Sequence, residues 1–201
     1  MIEDHLRLSI AALEKAATDP GFLKTAQTVS QIIADSYRQG GKVLIAGNGG
    51  SAADAQHIAA EFVSRYRFDR PPLPAIALTT DTSVLTAIGN DYGYEQVFER
   101  QIRGLGRKGD VFIAISTSGR SPNILAALKA AREIGVVTVG FTGAGDSAKA
   151  MRVSSDFLLI VPVADTPLIQ QIHMTVAHAI IETVEKDYFP CQKNRSAQAA
   201  K

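Results

Sequence analysis

Five short apolar runs punctuate this chain: "KVLIAG" (42–47), "PAIAL" (74–78), "DVFIAIS" (110–116), "VVTVGFT" (136–142) and "DFLLIVP" (156–162). They are bounded by glycine, proline or acidic residues, as strands buried on both faces are. Helical patterns lie between them: 51–66, "SVLTAIG", "GYEQVFERQIRGLG", "SPNILAALKAAREIG", "DSAKAMR" and a long final helix from Thr166 to Phe189. Strands alternating with helices imply a parallel sheet covered on both faces. Two helices precede it. In 4–17, Leu6, Ile10, Leu13 and Ala17 recur at helical spacing; the second carries Leu23, Ala26, Val29, Ile32, Ile33 and Tyr37 and stops at Gly40-Gly41. The tail 190–201 has little to bury and is expected to be flexible. Ligands of such sheets sit outside the carboxyl ends of the strands, where strand order reverses. The loops to inspect follow Ala46, Leu78, Ser116, Thr142 and Pro162.

Composition narrows the classes. A chain of 201 residues, 46% hydrophobic, holds one domain with a sizeable core. A formal net charge of +1 lacks the basic footprint of a nucleic-acid binder. The run "RYRFDR" (65–70) is basic, and its plain reading is a solvated helix end. The single cysteine, Cys191, fits a reducing compartment. No apolar stretch reaches the roughly 18–20 residues that span a bilayer, and the N-terminus does not read as a signal peptide. A cytoplasmic protein is expected.

Two loops carry chemistry. "GNGGSA" follows a strand and opens a helix, with Gly47, Gly49 and Ala52 matching a dinucleotide-binding pattern. That pattern wants an acid about 20 residues on, and Asp81 comes 32 residues after Gly49. The alternatives are a ligand-free turn and an anion site made of free N–H groups at a helix N-terminus, with the Ser51 hydroxyl beside them. "STSGRSPN" (116–123) gathers Ser116, Thr117, Ser118 and Ser121 at another helix start. It reads as a lysine-free phosphate cradle, suited to a sugar phosphate monoester, beside the alternative of an ordinary N-cap.

Acid–base groups follow. His57 and Glu61 are four residues apart on one helix face. Gln170 and His178 share a side of the last helix, and the four residues offer a mixed N/O set for a divalent metal such as zinc. His173 reads as a structural, hydrogen-bonded histidine and His5 as a surface one. Asn90 and Asp91 stand in a polar, glycine-bearing loop that offers contacts to sugar hydroxyls or an Asx turn.

Taken together, "AGNGGSAADAQHIAAEF", "LTAIGNDYGYE", "AISTSGRSPN" and "IQQIHMTVAH" resemble the sedoheptulose-7-phosphate isomerase family within the sugar isomerase (SIS) domain superfamily, over about residues 30–189. The resemblance implies a flavodoxin-like α/β/α sandwich around a five-stranded parallel sheet. It implies N-terminal helices (1–40) packing on the domain and in the oligomer, a SIS domain (41–189), and a homotetramer with interfacial active sites. It implies an aldose–ketose isomerase acting on D-sedoheptulose 7-phosphate, on the way to activated heptose for lipopolysaccharide core or surface glycans. By the same resemblance, Asn48, Gly49, Gly50, Ser51, Glu61, Arg65, Asn90, Asp91, Ser116, Thr117, Ser118, Ser121 and Gln170 contact substrate, with either Asp165 or Thr166 facing it as well. Glu61 and His178 form the catalytic pair; His57, Glu61, Gln170 and His178 hold one zinc per subunit. No nucleotide, nucleic acid or membrane is implied. Two alternatives stand beside it: an isomerase of another sugar phosphate, and a non-enzymatic SIS protein that binds the replication initiator. The relatives of that second kind lack the acid–base residues at the positions of Glu61 and His178.

Overall fold

Alternate residues of the apolar runs face opposite sides, and both sides find cover. The computed structural model describes residues 1–190, so the expected flexible tail lies outside the described residues except for Pro190. Two helices, α1 (Ile2–Thr18) and α2 (Pro20–Arg38), lead into β1 (Val43–Gly47), α3 (Gly50–Val63), β2 (Ala75–Ala77), α4 (Thr82–Tyr92), α5 (Glu99–Leu105) and β3 (Val111–Ile115). Then come α6 (Pro122–Glu133), β4 (Val137–Gly143), α7 (Ser147–Ser154), β5 (Phe157–Val161) and α8 (Thr166–Tyr188). The five strands are all parallel, in the order β2-β1-β3-β4-β5. Val43, Ile45, Ile113 and Phe141 join a core with α2, α3 and α8; Leu44, Ala46 and Phe112 join another with α5, α6 and Met151 of α7. The three-layer, flavodoxin-like expectation holds.

The strand order reverses between β1 and β3, which lie side by side with Gly47 against Ile115. Their carboxyl-end loops, the glycine turn and the serine loop, are therefore neighbours at the switch point where ligands of this fold class bind.

Three local expectations are corrected. Helix α3 ends at Val63, not residue 66. The stretch from Gly93 to Gly106 is not one helix: Gly93 takes φ 88°, a 3₁₀ turn spans Tyr94–Gln96, and α5 begins only at Glu99. Asn90 and Asp91 lie in the last turn of α4 rather than in a loop. Helix α1 forms over the stretch expected for it, with Ala12 and Ala16 turned inward and Leu6 and Ile10 57% exposed.

The basic run after α3 is solvated only in part: Arg65 and Arg67 are exposed, whereas Arg70 is buried. The side chains of Arg70 and Glu185 are both fully buried, with Nε 2.7 Å from Oε1. The Glu185 carboxylate also accepts from the backbone N–H groups of Tyr66 (2.8 Å) and Arg67 (2.9 Å). Arg70 donates onward to the carbonyls of Glu61 and Phe62, both at 2.8 Å. Among the last-turn carbonyls of α3, which have no partner within the helix, two are thus taken by one guanidinium.

His173 is fully buried, 5.5 Å from the Phe141 ring, and neither ring nitrogen meets a hydrogen-bond partner. The expected structural hydrogen bond is only a weak one: the Thr142 backbone opposes the shift without reaching good hydrogen-bond geometry, and burial outweighs it and pushes the imidazole pKa down to about 4. A folded pKa below the unfolded 6.5 means that the unfolded chain binds the extra proton, so stability falls as pH drops from 6.5 towards 4. We expect His173→Leu to remove this loss. Urea unfolding at pH 7 and pH 4.5 will show the gap between the two proteins shifting towards the variant by about 2 kcal/mol.

Candidate active site

The glycine turn is shaped by steric need. A Cβ on Gly47 would stand 2.7 Å from the Ser51 Cβ, and Gly49, at φ 57°, occupies the left-handed region at the N-cap of α3. No side chain caps this helix; the Ser51 and Ala52 N–H groups bond back to the Asn48 and Gly49 carbonyls, each at 3.0 Å, and the Gly50 N–H and the positive dipole end are what the turn offers an anion. Ser51 is buried beneath the turn. Across the switch point, Ser116 and Ser121 lie with hydroxyls 3.0 Å apart, and the Ser118 hydroxyl accepts from the Arg120 N–H at 3.3 Å. Gly119, at φ 60°, folds the loop back, and Ser121 is the N-cap of α6 without capping it through its side chain. Thr117 and Ser118 are half-buried at the mouth of the loop. Two helix N-termini thus converge on one volume.

A reciprocal amide pair joins the loops. Asn48 Nδ2 donates to Asn123 Oδ1, and Asn123 Nδ2 donates to Asn48 Oδ1, each at 2.9 Å. The Tyr94 hydroxyl adds a third bond to Asn48 Oδ1 at 3.3 Å. The Asn48 carbonyl oxygen is therefore already engaged by the protein, and its side chain ties three loops together. Neither Asn123 nor Tyr94 carried a sequence-based assignment; "SPN" and "GYE" gave no periodic signal for them.

Helices α3 and α8 run side by side in the same direction. At one level Gln170 lies so close to Gly50 that a Cβ there would collide with its amide. Two turns further on, His57 Nε2 is 3.0 Å from His178 Nε2 and 3.3 Å from Glu61 Oε1. His57 is exposed, Glu61 and His178 half-buried. The structure brings His57, Glu61 and His178 together and places Gln170 at the start of the seam, beside the glycine turn.

The donor chemistry at this point fits a divalent cation. Ligand atoms from His57, Glu61 and His178 all lie within 4.8 Å of one another. Two imidazole nitrogens facing each other at hydrogen-bond distance need a shared proton or cation between their lone pairs, and a carboxylate beside them supplies charge. This N,N,O set suits zinc, with a further position for another ligand or substrate.

The remaining expected contacts are dispersed. Asn90 Nδ2 donates to Asp91 Oδ1 at 2.7 Å, both residues being exposed. Arg65 is exposed just past α3, and Asp165 and Thr166 are exposed at the start of α8. Asp81 caps α4, accepting from the Val84 N–H at 2.9 Å.

Known proteins are similar to this chain. The SIS domain family profile matches residues 12–143. A phosphoheptose isomerase of Bradyrhizobium sp. (strain ORS 278) is 59% identical over 185 residues, 92% of each chain. One from Clostridium acetobutylicum is 51% identical over 188 residues, 94% of this chain and 95% of that protein. Among solved structures, the phosphoheptose isomerase of Neisseria gonorrhoeae superposes with a TM-score of 0.85 at 41% identity, covering 92% of this chain and 97% of that one. The enzyme from Francisella tularensis gives 0.86 at 32% identity, over 92% and 96%. With the SIS match, the fold and the likeness over most of each chain in agreement, the chain belongs to the phosphoheptose isomerase family of SIS-domain proteins.

Proposed function

We propose that this chain interconverts D-sedoheptulose 7-phosphate and D-glycero-D-manno-heptose 7-phosphate. The observation that carries the proposal is the meeting of one carboxylate with two imidazoles on a seam that opens at two helix N-termini. The names of the relatives support the same chemistry. The phosphate binds between the N-terminal ends of α3 and α6, held by backbone N–H groups and by the hydroxyls of Ser116, Thr117, Ser118 and Ser121. That contact is remote from the reacting carbons and serves to position them.

The reaction moves one proton between adjacent carbons. Glu61 takes a proton from C1 of the ketose, giving a cis-enediol, and returns it at C2. His178 acts on the oxygens: it gives a proton to the C2 oxygen as the carbonyl is lost and accepts one from the C1 hydroxyl as the aldehyde forms. Atoms balance without a redox cofactor. Zinc held by His57, Glu61 and His178, with Gln170 of the same seam as the fourth member of the family set, would supply Lewis-acid polarisation of the substrate oxygens. Asn90, Asp91, Arg65, Gly49, Gly50 and Ser51 complete the substrate contacts in this reading.

A homotetramer with interfacial sites is part of the proposal, and the surface supports self-association. Leu6, Ile10, Leu13 and Leu23 expose apolar area on α1 and α2, beside an apolar groove of about 230 Å³ lined by Phe22, Ile172 and Val176 among others. The partition at residues 40 and 189, a cytoplasmic setting and a role in supplying heptose for lipopolysaccharide core or surface glycans follow from the family resemblance. No described helix is long and apolar enough to cross a membrane.

Glu61→Gln and His178→Gln are each expected to lower kcat for sedoheptulose 7-phosphate by at least about 100-fold with the circular dichroism spectrum unchanged; near wild-type turnover in either overturns the assignment. Chelation should abolish most turnover and added Zn²⁺ should restore it, measured with the same assay. A Leu6→Glu/Ile10→Glu double variant should run as a smaller species than wild type in light scattering.

A further inference from the structure

The segment 64–70 takes part in the site in a way that its charge does not announce. Tyr66 lays its ring over the His178 imidazole, with centroids 5.4 Å apart and planes only 15° from parallel. His57 meets the same imidazole edge-on, at 5.2 Å and 71°. His178 is held between a parallel phenol and an edge-on imidazole. A histidine χ2 sits in a broad, roughly two-fold well, so an imidazole on an open helix face has no fixed plane of its own. A flat ring stacked on it supplies one.

Tyr66 is itself immobilised by the helix that carries His178. Its backbone N–H donates to the buried Glu185 at 2.8 Å. The Arg67 guanidinium sits 4.9 Å from the centre of its ring and is anchored to Glu182 at 2.9 Å. Glu182 and Glu185 follow His178 by one and two turns of α8. Arg70, paired with Glu185, also grips the carbonyl of Glu61. One cluster of contacts thus fixes the backbone that carries the carboxylate and the ring that orients the imidazole.

We propose that Tyr66 is a positioning residue, which sets the plane of the His178 imidazole so that its Nε2 points at His57 and Glu61. The proposal rests on the reading of His178 as proton donor and acceptor given above. Its contribution comes from the flat face of the ring, and the hydroxyl is dispensable.

The test compares Tyr66→Phe and Tyr66→Leu in the full-length protein, with kcat and KM determined separately. A second readout is the rate at which the zinc-loaded protein releases Zn²⁺ to a chromophoric chelator. Tyr66→Leu is expected to lower kcat about tenfold or more, as a displaced catalytic group does, with KM within about twofold, and to speed zinc release. Tyr66→Phe is expected to restore both to wild type. If Tyr66→Leu fails to fold, Tyr66→Met, which fills the space without a plane, takes its place. Wild-type kcat and zinc release in the aliphatic variant overturn the proposal, as does a phenylalanine variant as impaired as the aliphatic one. His178→Gln measured alongside separates the two levels. An active His178→Gln sinks the acid–base reading, whereas an inactive one beside a fully active Tyr66→Leu sinks only the positioning role.

Discussion

The contact on which the site geometry depends is the buried ion pair between Arg70 and Glu185. Two fully buried charges are costly to desolvate, and such a pair persists only where further hydrogen bonds meet the remaining donors and acceptors. Here nearly all are met. Glu185 accepts from Arg70 and from two backbone N–H groups, while Arg70 gives three of its four other N–H groups to the carbonyls of Glu61, Phe62 and Pro71. The pair stops α3 at its last turn, folds 64–70 back, and fixes α3 against α8. An apolar substitute of similar volume could fill the same space. It could not close a helix end, hold two loop amides and set a register between two helices at once.

The second constraint is topological. Parallel strands β1 and β3 are neighbours in the sheet although β2 separates them in the chain, so the loops that leave them meet. Meeting alone would not give them a fixed spacing. The Asn48–Asn123 amide pair does, because each side chain gives one bond and takes one, and Asn123 is buried. The Tyr94 hydroxyl extends the tie to the 3₁₀ turn. Three segments separated by tens of residues are thereby held as one rim.

Most of the fold was legible because it rests on local signals. Apolar runs of five to seven residues, Pro122 in the first turn of α6 and Gly135 at φ 78° just after it are features a sequence displays directly. The switch-point loops were legible as motifs, and so was the His57–Glu61 spacing. What escaped depends on partners far away in the chain. "RYRFDR" reads as solvated because nothing near it reveals Glu185, 115 residues beyond Arg70. Asn123 and Tyr94 matter only through Asn48. His173 looked like a hydrogen-bonding residue, yet it packs beside the Phe141 ring and meets the Thr142 backbone without good hydrogen-bond geometry. In α1, periodicity located the apolar stripe correctly but not what covers it, since Ala12 and Ala16 satisfy the core and leave the larger residues outward. The SIS profile ends at residue 143, before His178, so the seam that assembles the acid–base group depends on α8, beyond the segment that marks the superfamily.

The seam also fixes a length. The N-terminal ends of α3 and α6 both lie at the carboxyl edge of the sheet, and α3 leaves that edge at about 1.5 Å per residue. His57 follows Gly50 by seven residues, which puts its backbone about 10 Å from the turn. Side chains on a helix lean back towards its N-terminus, so the reactive atoms of His57 and Glu61 sit closer to the anion end than their backbones do. A ligand that engages both ends must bridge what remains, and an extended seven-carbon sugar phosphate has a comparable span. Because α3 and α8 are locked by Arg70 and Glu185 at one end and meet at Gly50 and Gln170 at the other, that span cannot adjust to a shorter ligand by one helix sliding past the other. Under the proposed function, the rigidity of the helix pair is thus the physical basis for discriminating substrates by chain length, without a dedicated wall at the end of the substrate.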